Sequence, residues 1–353
     1  MHNTVPGHLM ISEIREQPEA ITRLIEQELE HVWAMAERWR AQPPRFIFLA
    51  ARGTSDHVAL YAKYLFEIMN GIPTGLSAPS IASVYQAQVN VEGALFIGIS
   101  QSGEAADVIS VMDQVGRAGA DTLALTNIGG SPLTRAAQET ILLHARPEKA
   151  VAATKTFTSS LAALLMLSAA LGHNATLRAE LERLPEIIAK TLELEEQIRA
   201  RVERFRYLDD CVVLGRGYNL ATAYELSLKM RETSYIRAQP FASPDFVHGP
   251  IAIIEEGYPV IAFANQGAVL PSILEVIAQT QARGAEAVVI GNAPEALHLA
   301  DIAIPVCPDG NVPEVTSPFP SIVAGQIFAY ALALTKGYDP DHPRGLRKVT
   351  ITR

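Results

Sequence analysis

Phe46-Ile47-Phe48-Leu49-Ala50-Ala51-Arg52-Gly53-Thr54-Ser55 is the stretch on which the fold turns. An unbroken apolar run ends at a glycine and two hydroxyl residues, and a helical pattern follows. That order is expected of a strand buried on both faces that hands over to a helix. The same grammar recurs at Ala94–Ile99, Thr122–Thr126, Cys211–Leu214, Val260–Ala264 and Ala287–Ile290. Parallel strands joined by crossover helices give an α/β fold, each sheet flanked by helices in three layers as in flavodoxin.

The chain also repeats itself. Ala51-Arg52-Gly53 matches Gly215-Arg216-Gly217, Gln101-Ser102-Gly103 matches Asn265-Gln266-Gly267, and Gly119-Ala120 matches Gly284-Ala285, each at an offset of 164 or 165 residues. A constant offset means a duplication with few insertions. We therefore expect two tandem α/β domains, residues 1–199 and 200–353. A helix over Ile14 to Trp39 precedes the first strand, and an amphipathic helix over Asn174 to Arg204 joins the halves.

Composition bounds the function. With 353 residues, 48% hydrophobic and 19% charged, the chain is an ordinary globular protein large enough for two cores. A net charge of -9 excludes the broad basic face that nucleic acid demands. Cys211 and Cys307 sit in apolar runs, which predicts core thiols in a reducing compartment. The N-terminus lacks the apolar core of a signal peptide, and the apolar runs read as too short to span a membrane, Leu161 to Leu171 being a buried helix. The expectation is a cytoplasmic protein with no membrane partner.

In an open parallel sheet, ligands bind beyond the carboxyl ends of the strands. Arg52-Gly53-Thr54-Ser55 and Ser100-Gln101-Ser102-Gly103-Glu104 stand there, each ahead of a helix. Free amides, the helix dipole and hydroxyls together hold a phosphate dianion without many lysines. The same hydroxyls also serve as ordinary helix caps. The matching loops Gly217-Tyr218-Asn219 and Gln266-Gly267-Ala268 have lost them, so the anion site belongs to the first half. A dinucleotide site is set aside because Gly215-Arg216-Gly217-Tyr218-Asn219-Leu220 lacks its third glycine; no cofactor is expected.

Glu225, Lys229 and Glu232, spaced four and three apart, share a helix face, either as proton-transfer groups or as a solvated ion-pair row. His248-Gly249-Pro250 follows, a catalytic or merely structural histidine. The terminal Pro340-Asp341-His342-Pro343-Arg344-Gly345-Leu346-Arg347-Lys348, with alternating Val349 and Ile351, reads as a frayed tail or as one packed on the body. Asp339, Asp341 and His342 have no second cluster to complete a metal site, and none is expected.

Taken in order, these motifs, with Ala153-Thr154-Lys155-Thr156-Phe157-Thr158, resemble the isomerase portion of glucosamine-6-phosphate synthase, a pair of sugar-isomerase (SIS) domains, from about Ile11 to Thr352. The resemblance implies a phosphosugar substrate, held at the phosphate by Gly53, Thr54, Ser55, Ser100, Gln101 and Ser102, with Ala153 and Arg344 beside the sugar. It makes Glu232 the base that moves a proton between C1 and C2. His248 assists ring opening, reaching in from a neighbouring subunit of a homodimer in relatives. Lys229 stabilises enediol charge, and Lys348 forms an imine with a ketose C2. Such a base needs partial burial, and an imine-forming lysine must be neutral, so Lys229 and Arg344 are expected to lie near Lys348 and disfavour its charge.

The departures from the family are as informative. Ala105 stands in place of a threonine and Ala153 in place of a serine, while Arg52 replaces a small residue and either supplies lost charge or marks a different substrate. The synthase begins with a glutaminase whose N-terminal cysteine releases ammonia, whereas here His2 follows Met1. The resemblance thus implies the reverse reaction, glucosamine 6-phosphate to fructose 6-phosphate plus ammonia. The alternatives are another phosphosugar, such as galactosamine 6-phosphate or a glycated amino acid phosphate, and a non-catalytic sugar-phosphate regulator.

Overall fold

The structure, a computed structural model, describes residues 6–308 and 312–348. Met1, His2, Val349, Ile351 and Thr352, used in the reading above, lie outside the described residues. The chain forms two compact units. One comprises Gln17–Glu148, Lys155–Pro185 and the tail from Arg347; the other comprises the N-terminus to Glu16, Lys149–Thr154 and Glu186–Leu346.

The first unit holds β1 (Phe46–Ala50), β2 (Thr74–Leu76), β3 (Ala94–Ile99), β4 (Asp121–Thr126) and β5 (Glu139–Leu142), all parallel, in the order β2-β1-β3-β4-β5. Side chains alternate across such a sheet. Ala50, Phe96 and Ala124 pack with Val108, Val111 and Met112 of the helix Ala106–Arg117. Ile47, Leu49, Leu95 and Ile97, all but inaccessible, face the other way. The helix Lys155–Leu171 contacts β4 and packs on the helices Thr54–Leu65 and Gln17–Ala41; 16 of its residues are buried, as an unbroken Ala/Leu run requires.

The second unit holds β6 (Asp210–Gly215), β7 (Arg237–Ala242), β8 (Pro259–Phe263), β9 (Glu286–Gly291) and β10 (Ile302–Pro305), parallel and ordered β10-β9-β8-β6-β7. Read from the other edge, this is the order of the first sheet. The duplication extends to the backbone: Gly119 and Gly284 both turn at φ 91°, and Gly53 and Gly217 at φ 57° and 58°. On one face Val212, Val260 and Val289 pack on the helix Leu270–Gln281; the other carries the helices Asn219–Ser234 and Pro318–Thr335.

Three expectations need correction. The N-terminal helix is two helices, His8–Arg15 and Gln17–Ala41. The first belongs to the second unit, where buried Glu13 accepts the amides of Lys149 and Ala150. The joining helix is likewise two, Ala175–Leu192 and Glu195–Val202. Finally, Pro318–Thr335 is an uncharged 18-residue helix long and apolar enough to cross a membrane; 94% of it is buried inside the protein, which makes it a core helix. Cys211 is buried and Cys307 only partly so.

Candidate functional site

In sheets of the order 2-1-3-4-5, the crevice opens between strands 1 and 3, where the chain reverses its direction of travel across the sheet. Ala50 of β1 pairs with Gly98 of β3, so Arg52 and Ser100 stand at equivalent steps beyond the ends of neighbouring strands. Gly53 caps the helix Thr54–Leu65 with left-handed φ, and open space lies where its side chain would stand. Thr54 and Ser55 form the first turn. Ser100 is buried beyond β3, with Gln101 and Ser102 half-buried after it. Ser102 Oγ accepts the Glu104 amide, an ordinary loop contact. Among the described residues, the hydroxyls of Ser55 and Ser100 and the side chain of Gln101 have no hydrogen-bond partner. Arg52 is not a loose charge: its Nε donates to Asp107, a buried carboxylate in the first turn of the helix after β3. Burial pushes Asp56, in the first turn of the helix Thr54–Leu65, above its ordinary value against the pull of His57 and Arg52.

Asn127, just past β4, is a strut that sequence reading missed. Its amide donates to Gln101 O at 3.1 Å, its Oδ1 accepts the Ala145 amide at 2.9 Å, and its Nδ2 donates to Arg146 O at 2.8 Å. The loops after β3, β4 and β5 are thereby joined at one edge of the first sheet. Two residues beyond Arg146 comes Glu148, whose side chain is wholly buried. Its Oε1 accepts the Thr156 amide at 3.1 Å, and its Oε2 accepts Thr156 Oγ1 at 2.8 Å and Lys348 Nζ at 2.7 Å. Asn127 could have been found by its place after a strand; Glu148 lies in a loop without pattern and left no signal.

In the second unit, the helix Asn219–Ser234 carries Glu225, Lys229 and Glu232 on one face as predicted, but the face is inside. Lys229 Nζ lies 3.2 Å from Glu225 and 2.7 Å from Glu232 Oε2, with the lysine side chain 1% exposed, Glu225 0% and Glu232 23%. Burial opposes the lysine charge, yet the two carboxylates outweigh it and hold the ammonium above its ordinary range. The solvated-row reading is thus excluded. His248 is exposed at the end of the short helix Ser243–Val247. Ala153 is half-buried in the segment before the helix Lys155–Leu171. Arg344 donates its amide to Tyr235 Oη at 2.9 Å, and its guanidinium lies 3.8 Å over the Tyr235 ring. Tyr235 ends the helix of Glu232 in a left-handed turn, so the tail is docked there rather than frayed.

Lys348 and Glu232 belong to different units. Lys229 is committed to two carboxylates and Arg344 to Tyr235, while Lys348 pairs with a carboxylate.

The second sheet's own crevice is filled from within. Glu314 Oε2 accepts the Ala268 amide at 2.9 Å, and its side chain occupies the space where a side chain at Gly267 would begin. A carboxylate therefore sits where the first half offers free hydroxyls. Among the described residues, no cluster of three or more His, Cys, Asp or Glu could hold a metal.

Comparison with known proteins agrees with this fold. The SIS domain matches residues 42–170 and 209–298. The glutamine–fructose-6-phosphate aminotransferase (isomerizing) of Methanothermobacter thermautotrophicus is 37% identical over 347 residues, covering 98% of this chain and 58% of that protein. The chain thus spans somewhat over half the length of the curated relatives it matches. A crystal structure assigned to a phosphosugar isomerase from Silicibacter pomeroyi DSS-3 superposes with a TM-score of 0.85 at 36% identity, over 94% of this chain and 99% of that one. The C-terminal domain of glucosamine-fructose-6-phosphate aminotransferase from Francisella tularensis gives 0.87 at 26% identity, over 97% and 100%. With the domain matched in both halves and over more than half of its residues, the chain belongs to the SIS domain family.

Proposed function

We propose that the protein is a phosphosugar isomerase and deaminase, converting glucosamine 6-phosphate to fructose 6-phosphate and ammonia by proton transfer between C1 and C2. The observation that carries this reading is the state of Glu232. It is the one carboxylate of its trio with surface exposure, and it is backed by the buried ammonium of Lys229. A base must reach the substrate while its counter-charge stays fixed, and such a base contributes roughly 100- to 10,000-fold. The unpartnered Ser55, Ser100 and Gln101 groups serve the phosphate, Lys229 the enediol charge, His248 ring opening, and Lys348 the imine at C2. Relatives named for aminotransferase and isomerase chemistry on fructose and glucosamine phosphates support the substrate class.

The test is direct. The purified chain is incubated with glucosamine 6-phosphate, and ammonia and fructose 6-phosphate are assayed. Turnover is expected, reduced at least a hundredfold in Glu232→Gln; equal rates in the two proteins would refute the assignment. Galactosamine 6-phosphate and a glycated amino acid phosphate in the same assay decide the substrate, since Ala105, Ala153 and the Arg52–Asp107 pair alter the surroundings of the loops.

A further inference from the structure

We propose that Glu148 seats Lys348 for imine formation and carries its proton, acting as a positioning residue for that lysine; the proposal rests on the reading of Lys348 given above. Both groups lie in the first unit, and three observations converge on them. The carboxylate is wholly buried, yet it is fixed independently of the tail by the amide and hydroxyl of Thr156. Thr156 is the second residue of the 17-residue helix Lys155–Leu171, whose N-terminal dipole favours an anion at that place. And Lys348, 23% exposed, has in Glu148 its one hydrogen-bond partner among the described residues.

The site is joined to the sugar-phosphate loop. Asn127 links Gln101 on one side with Ala145 and Arg146 on the other, two residues from Glu148. A lysine seated there is held at the same sheet edge as the hydroxyls after β3.

A carboxylate partner keeps a lysine as its ammonium, which is not a nucleophile. The step therefore starts with transfer of one proton from Lys348 Nζ to Glu148 Oε2. The amine's lone pair then attacks C2 of the open ketose phosphate, forming the C–N bond as the carbonyl π pair moves to oxygen. One of the two remaining nitrogen protons passes to that oxygen. Glu148 returns its proton to the resulting hydroxyl, the C–O bond breaks, and water leaves a protonated imine. Glu148 ends as it began, and no other reagent is consumed.

Fructose 6-phosphate with sodium borohydride reduces such an imine to a stable adduct, located on Lys348 by peptide mass mapping. Glu148→Gln preserves size and the Thr156 contacts but removes the proton acceptor. We expect labelling at neutral pH to slow at least a hundredfold and to recover as pH is raised, while thermal stabilisation by fructose 6-phosphate persists. Labelling of Glu148→Gln at the parent rate with the parent pH profile overturns the proposal and leaves the imine intact. Absence of label in the parent protein overturns the imine itself, and the proposal with it. Should Glu148→Gln not fold, Glu148→Asp, which withdraws the carboxylate by one methylene, is expected to label at least tenfold more slowly; the parent rate there also overturns the proposal.

Discussion

The carboxylate of Glu314 accepts the amide of Ala268 at the mouth of the second sheet. This contact distinguishes the two duplicated frames: an internal carboxylate holds an amide in the second where the first presents the unpartnered hydroxyls of Ser55 and Ser100. The Tyr218 phenol reports it, pushed up to about 12 first by burial and then by the Glu314 carboxylate. In Glu314→Ala the Tyr218 ionisation is expected to fall by a minority of the total rise, since burial remains. Tyrosine ring-carbon NMR against pH reads the change, and an unmoved Tyr218 contradicts the contact.

Lys229→Met leaves Glu225 and Glu232 with a buried charge uncompensated, which costs about 3–5 kcal/mol when a buried pair is broken. Urea unfolding should show a loss of that order, partly restored by adding Glu225→Gln. The folded-state value of Lys229 lies above its ordinary 10.5, so its contribution is complete below that pH and is lost as pH rises through the folded value. The parent should therefore lose stability in the strongly alkaline range, and Lys229→Met should lose less there.

Asp339 and Asp341 cap the helix His8–Arg15, accepting the amides of Gly7, Leu9 and Met10 at 2.8 to 2.9 Å. Asp341→Ala should cost about 1–2 kcal/mol by loss of a cap, read as a lower melting temperature.

The same turn has a pH signature. Burial raises Asp339, but His342 and the amides of Asp341 and Gly7 outweigh it and lower its carboxyl, while Asp339 raises His342. The aspartate's contribution is present above its ordinary 3.8 and is lost as pH falls through the folded value; the histidine's is present below 6.5 and is lost as pH rises through its folded value. Their bond is strongest between those limits. In Asp339→Asn the His342 titration followed by NMR should return towards 6.5, and no change would exclude the pairing.

Asn127→Ala removes the acceptor of the Ala145 amide and the donor to Arg146 O. About 1–3 kcal/mol should be lost in thermal unfolding. If the proposed function holds, kcat falls with it, because the loop after β3 and the Glu148 segment are no longer tied.

All six strands read from the sequence are observed, and the four that it hid, β2, β5, β7 and β10, are the four sheet edges. The reason is physical. A central strand such as β3 is buried at every position and reads as one apolar run, whereas Arg237-Ala238-Gln239-Pro240 in β7 alternates with solvent and carries a proline that only an edge tolerates. The site was legible where chemistry follows spacing: Glu225, Lys229 and Glu232 do share a face. Whether that face was wet or buried was not, since periodicity alone does not say what packs on a helix. Glu148 and Glu314 act through contacts far apart in the chain, 200 residues in the case of Glu148 and Lys348, and no local pattern announces them.

Two frames with the same strand order give every experiment on this protein an internal control. If the proposed function holds, grafting the hydroxyl-bearing segment after β3 onto the end of β8, with the carboxylate of Glu314 removed, asks whether the scaffold or the loop confers sugar-phosphate recognition, and the untouched half answers in the same sample. The twinning of the molecule thus turns a question about ancestry into a comparison that one preparation settles.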